Sequence, residues 1–447
     1  MFDLLAKVRA DRELLATRAD GPLPARVGEG ELIELIRELE DLKSTAAALQ
    51  ARASVEFADR RREAEEAARV PARQRGRGVG AEVALARRES PTRGGRHLGL
   101  AKALVDELGS SFAALREGSL SEWRATLIAR ETACLTRGDR AEVDRHLNGP
   151  ESVGWGDRRL VAEARRLVYR IDPHGLIDRA RRAAADRHVS VRPAPDTMVR
   201  FSALLPVADG VACYAALKQT AESARSQGDD RSRGQVMADA MVERLTGRHP
   251  HVGPDVAVKL VLTDRTLFAG DAEPAHLEGY DTVPAQWARD LITHAANQAV
   301  GLWFQQLYTH PGTGALVAQT SRSRTAPAGL ADFIATRDRT CRTPYCDAPI
   351  RHIDHVHAVA TGGPTTTENT QGLCEACNYA KQAPGWVARA GPGPRHTVTT
   401  RTPTGHHHRS TAPPLPGHDV EDVATGDGPR AGPSAGRGWL TLARSSR

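Results

Sequence analysis

Apolar positions over the first 187 residues recur at helical rather than alternating intervals. Leu32, Leu35, Ile36, Leu39, Leu42, Leu49 and Phe57, separated by Glu, Asp, Lys and Arg, predict one long amphipathic helix over 29–65. The preferred reading packs this helix within its own domain, with a coiled-coil or dimer surface as the alternative. The arginine run at 60–62 is expected on its solvated far end. The Arg- and Gly-rich segment 71–78 breaks the pattern and reads as a basic surface loop, with contact to a nucleic-acid backbone as the alternative. Helical spacing resumes over 79–88, 97–109 and 111–116. Ser119 or Ser121 can cap a helix running to Cys134, and helices over 137–147 and 156–187 follow.

The period changes beyond 188. Short strands are predicted at 188–192 and 198–205, then a helix over 208–226. Val256, Val258, Leu260 and Leu262 alternate and predict a strand over 256–263. A helix fits 286–298, an apolar segment surrounds Trp303, Phe304 and Leu307, and a helix over 332–339 leads into a cysteine-bearing stretch. Beyond Trp386 the chain is rich in Pro, Gly, His and Thr. Segments 396–400 and 407–411 can pair around Pro403-Thr404-Gly405, and His406-His407-His408 is expected as an exposed polar turn rather than a metal site. Polarity and breakers over 417–437 predict disorder.

Composition narrows the picture only slightly. A chain of 447 residues suits two to four domains, and a net charge of +6 is too small at this length to argue for a polyanionic partner. The basic residues are nearly all arginine, a bias attributed to coding composition. Cys134 and Cys213 sit alone in alanine-rich surroundings and are expected as small buried hydrophobes. Residues 1–5 lack the basic flank and apolar run of a signal peptide, and no stretch approaches the roughly 20 apolar residues that span a bilayer. A soluble protein of the reducing cytoplasm, with no membrane partner, is the expectation.

The chemistry concentrates near the C-terminal end. Four residues separate Cys341 from Cys346 and two separate Cys374 from Cys377, a spacing that predicts one tetrahedral structural zinc site. With four protein ligands no coordination position is left for substrate water, so any catalysis falls to the residues between the pairs. These are Arg351-His352-Ile353-Asp354-His355-Val356, the turn Gly362-Gly363-Pro364-Thr365, and Asn369. A helix from Cys374 to Lys381 would carry Asn378 and Lys381. A strand over 352–358 would place Asp354 and His355 on opposite faces.

The cysteine pairs, the Asp-His dipeptide, the Gly-Gly-Pro-Thr turn, Asn369 and the Leu-Cys-x-x-Cys helix start together resemble the HNH endonuclease family in its zinc-stabilised ββα-metal form. The resemblance implies His355 as general base and Asp354 as ligand to a catalytic Mg²⁺ or Mn²⁺. It further implies Asn369 as the residue that holds the active-site loop, and Asn378 as a metal ligand in the position usually held by the final histidine. Arg351, His352 and Lys381 are candidates for phosphate contacts. The longer N-terminal part resembles the helical domain of unknown function in actinobacterial 13E12 repeat family proteins.

The expected architecture is multidomain: a mainly α N-terminal region with some α+β character, followed by a small zinc-stabilised ββα-metal domain. Its segments are an N-terminal stretch 1–28, a helix-rich region 29–187, an α+β continuation 188–325, the HNH domain 331–387, a candidate β-hairpin extension 388–416 and a tail 417–447. DNA is the implied partner, and the helical region can also serve a homodimer. The rival function is a non-catalytic zinc-dependent DNA-binding or protein-interaction module.

Overall fold

The computed structural model describes residues 2–23, 27–247, 259–297, 304–310, 312–319, 326–418 and 438–442. Its first half is helical: α1 Phe2–Ala19, α2 Glu29–Ala67, α3 Val79–Arg87, α4 Pro91–Asp106, α5 Gly109–Arg116, α6 Glu122–Glu131, α7 Arg137–Leu147, α8 Asp157–Ile171 and α9 Pro173–Ala185. Mixed structure follows with β1 His188–Ala194, β2 Met198–Leu204, α10 Val207–Ser226, α11 Arg233–Thr246, β3 Leu260–Thr263, α12 Asp264–Phe268, β4 Ala275–Leu277, β5 Asp281–Val283 and α13 Ala285–Asn297. Then come β6 Phe304–Thr309, β7 Leu316–Gln319, α14 Ala326–Asp338, β8 His352–His355, β9 Thr370–Leu373 and α15 Glu375–Lys381. The last elements are β10 Val387–Gly391, β11 Thr397–Arg401, β12 His407–Thr411 and β13 Gly438–Leu442.

Packing divides the chain into two units, one of Met1–Arg60 with His97–Leu176 and one of Arg61–Arg96 with Ile177–Arg447. The first unit is helical throughout. Its core is built by Leu104, Leu108, Leu115, Ile128, Leu160 and Val168, each essentially inaccessible to solvent. The Ser121 hydroxyl accepts from Arg124 N and starts α6. Pro173 divides the helix expected over 156–187: its ring and missing N–H end α8 at Ile171, and it opens α9 as the first helical residue.

Four details differ from expectation. Helix α2 buries Ala48, Ala51, Val55 and Ala58, while Ile33, Leu35, Ile36, Leu39 and Leu42 stay 39–65% exposed. Small side chains make the close contact, and most of the leucine stripe lies beyond it. Arg61 is not solvated but donates to buried Glu82 at 2.9 Å. Cys213 is exposed rather than buried, and Cys134 only partly covered. The polar opening also forms a helix, α1, that its sequence pattern did not suggest.

The second unit holds a six-stranded antiparallel sheet in the order β5-β4-β3-β13-β6-β7. Helix α14 lies against it through Phe333 and Ile334, which pack with Val261, Leu307, Leu316 and Leu415; Ile353 of β8 joins the same cluster. Fully burying each such large side chain contributes roughly 1.5–3 kcal/mol, so β8 is anchored by apolar contact to the sheet. Segment 71–78 spends much of its polarity internally: Arg75 bonds Glu66 at 2.7 Å and Val70 O at 2.8 Å, and Gly76 N donates to Glu65. Glu82 also accepts from Thr404 Oγ1 at 2.7 Å, which ties α3 to the β11–β12 turn.

Strands β10, β11 and β12 form a separate three-stranded antiparallel sheet. Two of them are the strands the sequence suggested, β10 adds a third, and the histidine triplet enters β12 rather than making a turn. Val256, Val258, Trp303 and residues 419–437, where a strand, an apolar segment and disorder were expected, lie outside the described residues. Residues 438–442 of the expected tail form β13. Among the described residues no helix is long and apolar enough to cross a membrane.

Candidate active site and metal centre

Cys341, Cys346, Cys374 and Cys377 converge with all their sulfurs within 4.8 Å of one another, all four residues buried. Cys346 Sγ and Cys374 Sγ are 3.7 Å apart. Tetrahedral zinc with Zn–S bonds near 2.3 Å requires sulfurs about 3.8 Å apart, so the cluster fits that ion closely. Thiol donors from Cys346 and Cys377 hold Cys341 far below the ordinary thiol range, and their hydrogen bonds to it, with burial, push the other two up. A dication suits such a cluster because it can accept all four sulfurs as thiolates. The surrounding core is small, consisting of the cysteines, Leu373 and partly buried Ala348.

Between the cysteine pairs the chain folds as β-β-α. Strand β8 pairs antiparallel with β9 in the register His352↔Leu373, Ile353↔Gly372, Asp354↔Gln371 and His355↔Thr370. Cys374 serves twice: its thiol is in the cluster and accepts from Cys377 N as the N-cap of α15. The turn joining the strands needs both of its glycines. Gly362 has φ of 93°, and a Cβ on Gly363 would lie 1.9 Å from His357 O.

The predicted site residues separate along the ββα unit. Asp354 turns toward α15, where the Lys381 ammonium donates to its Oδ2 and to His355 O. His355, at the end of β8, turns the other way, with Nε2 2.9 Å from Thr365 Oγ1. Alternation along the strand separates these neighbours, as the spacing suggested. If the ring donates from Nε2 to Thr365, its Nδ1 is left as a lone-pair acceptor. Asn369 holds the intervening loop, accepting from His357 N at 2.9 Å and donating to His357 O at 3.0 Å and Pro364 O at 2.7 Å.

Asn378 lies on α15 with its Oδ1 buried and without a hydrogen-bond partner. Such an orphaned oxygen costs about 1–3 kcal/mol, and a hard cation is one group that would relieve it. His352 is half-buried on β8, and Arg351 is exposed. Among the described residues the four cysteines are the one group of three or more His, Cys, Asp or Glu side chains close enough to share a metal ion.

Three contacts at the site have no legible signal of their own in the sequence. Thr365 was visible only as part of a turn, yet it is the hydrogen-bond partner of His355 Nε2. Arg337 and Asp338, at the end of α14, form a buried pair at 2.7 Å. Arg337 also donates to Thr367 O at 2.5 Å and Thr370 O at 2.8 Å, while Asp338 accepts from Gly372 N at 2.8 Å. This pair clamps the loop carrying Asn369 and the strand leading to Cys374. The sequence signal was an Arg-Asp dipeptide three residues before Cys341, indistinguishable from a solvated helix end. His396 adds a second clamp: burial, then the nearby Arg337 charge, push it down to about 4, and the neutral ring bonds Glu368 O at 3.0 Å.

The ββα unit and its four-cysteine zinc-binding cluster define an HNH-type fold behind a large, mainly α region. Residues 341–383 match the HNH endonuclease family model, and residues 36–338 match the family described as a domain of unknown function, DUF222. The latter match spans more than half of the chain, which therefore belongs to the DUF222 family. The boundary between the two matches falls between Asp338 and Cys341, so the Arg337–Asp338 clamp lies in the first family and holds the second. An uncharacterized protein from Mycobacterium tuberculosis, Rv3776, is 27% identical over 298 residues, covering 63% of this chain and 50% of that protein. The chain thus matches half the length of that curated relative. No solved structure matches the chain significantly.

Proposed function

We propose that this chain is a divalent-metal-dependent DNA endonuclease that hydrolyses phosphodiester bonds with His355 as general base. The observation that carries the reading is Asn378 Oδ1, buried without a partner on the helix against which Asp354 is turned. Asp354 and Asn378 would hold Mg²⁺ or Mn²⁺, hard ions suited to two oxygen donors. When bound, that ion would neutralise phosphate charge and stabilise the departing 3′ oxygen. His355 takes the proton of the attacking water, Thr365 orients the ring, and Asn369 fixes the loop. Arg351 and His352 would contact phosphate, as would Lys381 once its bond to Asp354 opens. Products with a 5′ phosphate and a 3′ hydroxyl follow from this chemistry. The four-cysteine site holds structural zinc, and the cytoplasm is the proposed location, in keeping with six free cysteines. A homodimer through the exposed leucines of α2 belongs to the same proposal; sedimentation at the mass of one chain would remove it.

A second reading has one observation in its favour. Lys381 already satisfies the Asp354 carboxylate, as expected of a non-catalytic zinc module that binds DNA or protein. Metal binding separates the two. In the nuclease reading the full-length chain binds Mn²⁺ in addition to its zinc and nicks plasmid DNA. Asn378→Ala weakens that Mn²⁺ binding about tenfold or more while zinc content is unchanged. Mn²⁺ binding that is absent, or indifferent to Asn378, favours the non-catalytic module.

A further inference from the structure

From residue 376 to residue 418 the chain contains no Asp or Glu, although it carries 55 acidic residues in all. The same stretch holds Lys381, Arg389, Arg395, Arg401 and Arg409. Arg395 is buried and donates to Ala412 O at 2.8 Å. The other three arginines lie on β10, β11 and β12, and the strand register decides where they point. Arg389 pairs with Thr399, which pairs with Arg409; Val387 pairs with Arg401, which pairs with His407. Directly opposed residues share a face and alternate residues return to it. Arg389, Arg401, Arg409 and His407 therefore occupy one face, all four exposed. The opposite face turns Val398 inward, buried.

Among the described residues none of the three guanidinium groups has a carboxylate partner. Elsewhere in the protein, exposed arginines such as Arg37, Arg60 and Arg231 are paired with neighbouring acids. Strands lie about 4.8 Å apart, which sets the Cα atoms of Arg389 and Arg409 about 10 Å apart. Three like charges gathered on one sheet face repel one another, and among the described residues no acid is paired with them. A polyanion would offset them. The sheet is also joined to the candidate active site, since His396, just before β11, bonds Glu368 O next to Asn369.

We propose that the exposed face of β10–β12 is a docking platform for the phosphate backbone of duplex DNA. The choice of DNA rests on the nuclease reading, and the choice of duplex rests on the face itself. Its strand positions carry no Phe, Tyr or Trp, the large rings on which unpaired bases are usually held, and His407 is its one smaller ring. It presents guanidinium groups and threonine hydroxyls, which suit phosphate oxygens. Binding through it is sequence-independent and strongly salt-dependent.

The test measures binding of the full-length chain to labelled duplexes of unrelated sequence across a salt series, with His355→Ala present to prevent cutting and no divalent ion added. Against this background, Arg389→Gln, Arg401→Gln and Arg409→Gln are made singly and together. Each single substitution should lower the slope of log Kobs against log salt by about 1, and the triple by about 3, equally on every duplex. Zinc content reports folding, and the single variants carry the test should the triple lose its zinc. Unchanged slopes overturn the platform, as does a loss confined to one sequence, or a loss on single-stranded RNA with duplex binding intact. Normal cutting by the otherwise wild-type chain with unchanged slopes sinks the platform alone. Altered slopes without cutting under any condition sink the nuclease reading and leave the platform standing.

Discussion

Replacing Cys374 by serine is expected to release zinc and unfold residues 341–383, leaving the helical region folded. Buried apolar side chains in the module are few, namely the four cysteines, Leu373, Val356 and Ala383, so metal binding supplies most of its folding free energy. Structural zinc contributes about 10–16 kcal/mol of apparent binding free energy in small modules, comparable to or above the roughly 5–15 kcal/mol that stabilises a whole domain. Serine at 374 also removes the sulfur that caps α15. Metal analysis should show less than one zinc per chain, and limited proteolysis should cut within 341–383, while most of the helical circular dichroism persists. A protease-resistant module without metal would contradict this account.

Arg337→Met should have the next largest effect. It leaves the Asp338 side chain, 0% exposed, as a buried carboxylate stripped of its closest cation, and frees the carbonyls of Thr367 and Thr370. Breaking a buried pair in this way costs about 3–5 kcal/mol. Arg342 Nε, 3.6 Å from Asp338, is too distant to restore the lost hydrogen bonds. The loss should appear in denaturant unfolding of the zinc-loaded chain. Hydrogen exchange should quicken at His357 N, whose bond to Asn369 depends on the clamped loop. A change below about 1 kcal/mol would mean that α14 does not hold the site.

Much of this organisation was legible in the residues, for stated reasons. Long helices announce themselves by period, and the cysteine spacing dictates a closed metal site whatever the surroundings. The ββα order follows from Gly362-Gly363 and the Cys374 cap. Less visible was anything that depends on which distant surface a side chain meets. Leucines of α2 follow a helical period whether covered or not, and only tertiary contact reveals that Ala48, Ala51 and Val55 make the seam. Arg61 looks solvated until Glu82, 21 residues on, is seen beside it. Thr365, Arg337 and His396 act through hydrogen bonds to His355, Thr370 and Glu368, and no local pattern encodes those. Charge segregation over 376–418 was present in the sequence but hidden by the small total charge.

In the proposed nuclease His355 performs hydrolysis while the cysteines only hold the frame. Plasmid cleavage in Mg²⁺ or Mn²⁺ by wild type and His355→Ala, each verified to carry one zinc per chain, tests it most directly. Cleavage by the wild type and a loss of about 10²–10⁴-fold in the variant are expected, the range for removing a general base. Undiminished cleavage by zinc-loaded His355→Ala would contradict it.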